Sequence, residues 1–477
     1  MKARQVLAFI LVIFGLLGAA WAVFPADGIS VGATTVRFAS YEGYVRDALE
    51  EKVDVDAVLD ALEDRFAIHE DTLSFYRTFF YENPDRIYLP DDDYTFFDPV
   101  FRAFERARRE GRTVRIAHYG DSQIELDRIS SNLREALQLR FGGEGTGMFP
   151  AFTSTPMASV SRTTSGGFVS YRMVGDSTTR RVRHNRYGVL AQMSGLTGGG
   201  TVNIRVPKQK TTLDNVKHFS SVSLLYGRAS DGFSAQAVSD TMKPKAIVRE
   251  LDGITWMTWQ FSAPVERASL QLKGNAEIYG VATDGKAGVT VDNIPLRGST
   301  GTILTRIPQD LMKASYELDD TRLIILQFGG NFVPSARSAK SISYYMDKVR
   351  DQIAYFQEVA PEAKILFIGP SDMGSFSGGE RGGTFYRLPE VVDSLKATTL
   401  RCGAAYWDLY RMMGGHNSMV QWVRHQPPYA GPDYIHFTTT GARLVGETLS
   451  RSLLTYYDFY DLRKTLPAAA VEQHMVR

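Results

Sequence analysis

Val114-Arg115-Ile116-Ala117-His118-Tyr119-Gly120-Asp121-Ser122-Gln123 is a β-rich, mostly apolar run broken by glycine, after which Ile129, Leu133, Ala136 and Leu137 recur at helical spacing. This is a strand, a tight turn and a helix. Downstream, Leu323-Ile324-Ile325-Leu326-Gln327-Phe328 ends at Gly329-Gly330-Asn331, and a helical stretch over 341–359 leads to Lys364-Ile365-Leu366-Phe367-Ile368. The alternation runs on through Tyr406-Trp407-Asp408-Leu409 to a closing helix with Leu444, Val445, Leu449 and Leu453 on one side. Apolar strands separated by helices predict a parallel sheet covered on both faces, hence an α/β class.

Two regions depart from this pattern. Residues 151–280 are dense in Ser, Thr and Gly and carry short alternating runs such as Thr201-Val202-Asn203-Ile204-Arg205-Val206, which predicts an inserted all-β sandwich or jelly roll. Residues 25–110 read as a mostly helical accessory cap, with helices around Val55–Leu62 and Pro99–Arg109. Between those helices, Pro90-Asp91-Asp92-Asp93-Tyr94 is a solvated turn, because three consecutive carboxylates point in different directions. The α/β part is assigned to 111–150 and 281–465.

At the N-terminus, Lys2 and Arg4 precede an apolar run from Val6 to Phe24 containing Ala20-Trp21-Ala22, so residues 1–24 are a signal peptide or a signal anchor. Either places the rest outside the cytoplasm, in the periplasm or at the cell surface, with any membrane attachment made by this segment. The single cysteine, Cys402, forms no disulfide within the chain. With 477 residues, 44% hydrophobic, and a formal net charge of +1, the chain supports large cores and has no global basic field, which sets nucleic acid aside as a partner.

Ser122 opens a helix, where free N–H groups favour developing negative charge, so it can act as a nucleophile whose own N–H faces the oxyanion. In Asp433-x-x-His436 the carboxylate can reach the imidazole and fix its tautomer. Asn331 and a glycine of Gly298-Ser299-Thr300-Gly301-Thr302 are candidate oxyanion donors. No His/Cys/Asp set has metal-ligand spacing, and the chemistry needs no cofactor. His118, His416, His425 and Trp422 are candidates for lining a pocket, although each has a structural reading as well.

Taken in order, these blocks resemble the SGNH (GDSL-like) hydrolase superfamily. Ser122, Gly301, Asn331 and His436 match its signature residues, with Asp433 as triad acid and Gly298 as the alternative glycine. Ile278-Tyr279-Gly280-Val281, Gly288-Val289-Thr290-Val291-Asp292-Asn293 and Ile368-Gly369-Pro370-Ser371-Asp372-Met373 resemble the peptidoglycan O-acetylesterase group more closely. The resemblance covers 113–155 and 275–455. It implies a flavodoxin-like three-layer hydrolase domain, an inserted carbohydrate-binding-module-like β domain, and a serine esterase acting on an O-acetylated glycan. A polysaccharide O-acetyltransferase with the same triad and a non-catalytic glycan-binding protein are the alternatives. Gln123 stands where the family has Leu or His, and Phe332 where it has an acidic residue, the latter giving one pocket wall an apolar character.

Overall fold

Strands β1 (Thr113–Gly120), β2 (Gly288–Pro295), β3 (Thr321–Gln327), β4 (Lys364–Ile368) and β5 (Ala405–Trp407) are parallel, in the order β2-β1-β3-β4-β5. Their apolar composition follows from cover on both faces. Helices α1 (Asp98–Arg109), α2 (Ser130–Phe141) and α7 (Thr439–Arg463) pack with one another on one side. On the other lie α3 (Gln309–Asp319), α4 (Ala339–Val359) and α5 (Leu388–Arg401), and α6 (Ser418–Arg424) comes between α5 and α7 in the chain. Strand order reverses beside β1, so a crevice opens at the carboxyl ends of β1 and β3.

This computed structural model describes residues 12–16, 19, 29–31, 34–36 and 70–475, except 154–156, 208–215, 240–241 and 376–382. The chain divides into two compact units, Met1–Leu73 and Ser74–Arg477. In the first, Ile29–Val31 and Thr34–Val36 pair as an antiparallel hairpin, where a helical segment was expected. These six residues include three of the β-branched aliphatic type and two threonines, which suit a pleated strand better than a helix. The helix expected at Val55–Leu62 and most of the apolar N-terminal run lie outside the described residues. Among the described residues no helix is long and apolar enough to cross a membrane.

In the second unit, residues 87–109 belong to the α/β layers and are not a separate cap. Ile87–Tyr88 adds an antiparallel strand beside β5, and α1 buries Val100, Phe101, Phe104 and Ala107 against the sheet. An apolar stripe of that width has to be covered, and the sheet face supplies the cover. Pro90–Asp92 forms the expected turn, with Asp91 and Asp92 exposed at positive φ.

The inserted strands form one nine-stranded antiparallel sheet, where two stacked sheets were expected. It curls around a core that includes Leu196, Val202, Phe219, Leu224, Trp259 and Leu270. The bend comes from the long strand Gln192–Arg205, which pairs with Ser161–Arg172 along one edge and with both Ala276–Asp284 and Arg267–Lys273 along the other. Register slips between Gly166 and Phe168, and a Cβ on Gly166 would lie 2.5 Å from the Gly199 carbonyl oxygen. Only glycine allows strands so close at a kink, which carries the hydrogen bonding continuously round the corner. The sheet starts at Gly147–Phe149, paired with Ala276–Asp284, so it extends a few residues beyond 151–280 at each end.

Arg115, 1% exposed, joins the two sheets. From β1 its guanidinium pairs with Asp284 of the antiparallel sheet and, at 2.8 Å, with Asp292 of β2, and it lies 5.0 Å from the Trp256 ring. Asp292 also accepts the Met148 N–H at 2.7 Å.

His118 points into the core. Its Nε2 lies 3.0 Å from Gln327 Oε1 and its Nδ1 2.9 Å from Ser130 Oγ, and burial pulls its pKa down to about 4. Because the folded state refuses a proton that the unfolded chain accepts below about pH 6.5, His118 costs stability as pH falls from 6.5 to 4. We expect about 3 kcal/mol over that window, visible as a steeper loss of urea stability in the native protein than in His118→Gln. Equal slopes in the two proteins would contradict this assignment.

Candidate active site

β1 ends at Gly120, and Asp121 caps the following turn, Ser122–Asp127, by accepting the Gln123 N–H at 2.9 Å. Ser122 therefore sits at the carboxyl edge of the sheet with the open N-terminus of a helical turn at its backbone. The loop before α7 arrives from the other side. Thr438 caps α7 through the Gly441 N–H at 3.2 Å, and its hydroxyl donates to the Pro428 carbonyl at 2.7 Å, which pins the entry to the helix. Within that loop, Asp433 Oδ1 accepts the N–H groups of Ile435 at 3.1 Å and His436 at 3.0 Å. This Asx-type turn brings the two side chains together within four residues.

Ser122 Oγ lies 2.8 Å from His436 Nε2, and His436 Nδ1 lies 2.7 Å from Asp433 Oδ2. Burial would raise the Asp433 pKa, but hydrogen bonds from the His436 ring and from the His436 and Ile435 N–H groups outweigh it and hold the carboxyl below its ordinary value. An ionised Asp433 accepts a hydrogen bond from Nδ1–H, which fixes the tautomer in which Nε2 is the basic nitrogen facing Ser122.

Ser122 and His436 open onto a cavity of about 190 Å³ with Phe328, Pro334, Pro370, Met373, Leu409 and Ile435 on its walls. Asn331, just past β3, also reaches it, with its Nδ2 donating to Asp121 Oδ2 at 3.2 Å and to the Ser299 carbonyl at 3.1 Å. Asp121 is buried, which pushes its pKa up to about 6 against the opposing hydrogen bonds of Gln123 and Asn331 and the charge of His436.

The structure does not bring either glycine to this cavity. Gly301 is buried and spends its N–H on Ser299 Oγ at 3.0 Å. Its φ is +80° and a Cβ there would lie 2.3 Å from the Phe328 ring, so packing alone accounts for glycine. Gly298 is exposed and borders a different cavity. Phe332, expected on a pocket wall, instead stacks on Tyr345 with ring centroids 4.1 Å apart. His425 stacks on Tyr429 at 3.8 Å, Trp422 is buried with its Nε1 donating to the Met413 carbonyl at 3.1 Å, and His416 is exposed. None of these three, nor His118, borders the Ser122 cavity.

Sequence reasoning missed two residues that hold the site together. Gln123 donates to the Ile435 carbonyl at 2.6 Å and accepts the Phe437 N–H at 3.2 Å, tying the serine turn to both sides of His436. Arg128 spans the same gap, donating to the carbonyls of Ser122 and Phe437 at 2.8 Å each. The departure at Gln123 was the only sequence signal for the first, since an amide can bond backbone where Leu cannot. Arg128 carried none, because the partner that makes it a bridge, the Phe437 carbonyl, lies 309 residues along the chain.

A peptidoglycan O-acetylesterase superposes on this chain with a TM-score of 0.60 at 21% identity, over 76% of this chain and 96% of its own. The two chains share a fold. A family two carbohydrate esterase from Cellvibrio japonicus aligns at 11% identity over 63% of this chain and 99% of its own, with a TM-score of 0.27. An acetyl xylan esterase aligns at 14% identity over 35% of this chain and 81% of its own, also with a TM-score of 0.27. Superpositions that slight carry no argument. No protein-family model and no curated protein matches the chain. Ser122 and Asn331 follow β1 and β3, at whose carboxyl ends the crevice opens.

Proposed function

We propose that this protein is an exported serine esterase that removes O-acetyl groups from a glycan, with Ser122 as nucleophile, His436 as general base and Asp433 as its orienting acid. The observation that carries this is the Ser122–His436–Asp433 relay, at 2.8 and 2.7 Å, opening onto a small apolar cavity suited to an acetyl group. The SGNH fold, shared with a peptidoglycan O-acetylesterase, supports the same reading. So does the basic and apolar start of the sequence, which marks the chain for export to the periplasm or cell surface.

His436 Nε2 takes the Ser122 hydroxyl proton as Oγ attacks the acetyl carbonyl. The oxyanion meets the Ser122 N–H and the Asn331 amide, which exchanges the Ser299 carbonyl for the substrate oxygen. Collapse expels the sugar oxygen, which leaves with the proton from His436, and Ser122 holds the acetyl group. Water then attacks while giving its proton to His436, and acetate departs from the regenerated serine. Gly301 has no part in this assignment, since its N–H faces Ser299.

The decisive experiment incubates purified protein with O-acetylated peptidoglycan and acetylated xylan, with and without an acceptor oligosaccharide, and measures acetate. Acetate release matching loss of glycan esters is expected. Acetylated acceptor formed in place of acetate would make the enzyme a transferase. Inactivity on every acetylated glycan and on small acetyl esters would leave glycan binding as the function.

A further inference from the structure

A formal net charge of +1 conceals an uneven distribution. Between strands Ser161–Arg172 and Gln192–Arg205 the chain runs through Arg180-Arg181-Val182-Arg183-His184-Asn185-Arg186. Arg186 is balanced by Asp310 at 3.2 Å and Glu277 at 3.7 Å, and His184 also faces Glu277 at 3.3 Å. Arg180, Arg181 and Arg183 are exposed at the other end of the loop, and no carboxylate forms a described ion pair with them.

This loop is built against a cavity of about 690 Å³, well above the volume beside Ser122. The Arg172 N–H donates to the Arg180 carbonyl at 3.0 Å, and the Arg181 guanidinium donates to the Gly175 carbonyl at 3.2 Å. Arg172 and Gly175 both line the cavity, together with Arg162 and Arg297. Arg162 lies 5.7 Å from the Phe149 ring, and burial pulls its pKa down to about 10. Glu125 and Leu126 of the serine turn, Asp176 and Gly298 also line it, Glu125 pairing with Arg297 at 3.7 Å, and Gly298 stands next to the Ser299 that holds Asn331. The serine turn thus borders both cavities, with Ser122 and Gln123 on the smaller and Glu125 and Leu126 on the larger. Among the described residues no aromatic ring lines the larger one, unlike the stacking platforms that single-stranded nucleic acid uses.

We propose that this cavity and the arginine loop beside it bind a carboxylate-bearing glycan chain, so that the acetylated polymer presented to Ser122 is an acidic polysaccharide. Delivery of its acetyl group rests on the esterase reading, whereas binding does not. Arginine side chains spaced along the loop match carboxylates repeated along a polymer, and each exposed pair adds little alone, so affinity comes from their number.

The test uses the full chain carrying Ser122→Ala, which removes turnover from the measurement, in affinity electrophoresis through gels containing polygalacturonate, neutral dextran or oligo-dT. Retention by polygalacturonate alone is expected, weakened roughly tenfold by Arg180→Ala/Arg183→Ala and by raising salt to about 0.3 M. Thermal melting of the variant checks its fold, and Arg180→Glu serves as a second, single-site probe. No retention, equal retention on dextran or oligo-dT, or retention unaltered in both arginine variants would overturn the proposal. Retention by a protein whose native form releases no acetate would sink the esterase reading and leave this one standing.

Discussion

Ser122→Ala is expected to lower kcat for p-nitrophenyl acetate by about 10⁴-fold or more, with the melting temperature unchanged. Removing Oγ deletes the group that would form the acetyl-enzyme, and among the described residues no other group of the cavity hydrogen-bonds His436 Nε2 to replace it. The fold does not depend on that hydroxyl. Asp121 caps the turn, Gln123 bonds the backbone on both sides of His436, and Arg128 bridges the Ser122 and Phe437 carbonyls. His436→Ala is expected to cost a similar factor, and the double variant little more, because groups acting as one unit are not additive. Activity above about 1% of native in Ser122→Ala would remove Ser122 from the mechanism.

Arg115→Met is expected to destabilise the protein by about 3–5 kcal/mol, read as a fall in the urea midpoint. The substitution keeps most of the buried volume but strands two carboxylates. Asp284 and Asp292, 3% and 2% exposed, would face each other across the junction of the two sheets without a cation. Asp319, close by, is already held up to about 8 by burial despite the arginine, so the loss is expected to be greatest above that pH, where Asp319 adds its own charge. An Asp284→Asn/Asp292→Asn background should recover much of the loss, since what Arg115 chiefly supplies is charge balance. A change below about 1 kcal/mol would show that the junction does not depend on this ion cluster.

Much of the architecture could be read locally. Val114–Tyr119, Leu323–Phe328 and Lys364–Ile368 are mostly apolar, with apolar residues on both faces, which specifies buried parallel strands before any pairing is known. Asp433-x-x-His436 is equally local, because one turn brings carboxylate and imidazole to 2.7 Å with no help from the rest of the chain. The hairpin at 29–36 and the inclusion of 87–109 in the main layers were less legible, since short segments take their state from what they pack against. The continuous curled sheet was hidden for another reason. Alternation within a strand identifies its inner face but not whether a glycine kink carries the hydrogen bonding round a corner.

For the site itself, the sequence determined which residue types stand at strand ends and in what order, because periodicity and turn chemistry act over a few residues. It thereby nominated Ser122, Asn331, Asp433 and His436. Only the tertiary structure decided their surroundings. It turned Gly301 toward Ser299 and Phe328, stacked Phe332 on Tyr345, and drew Gln123 and Arg128 across more than three hundred residues to the histidine loop. Such contacts depend on how layers close over one another, and no spacing along the chain encodes the distance between two segments that meet only when the core is packed.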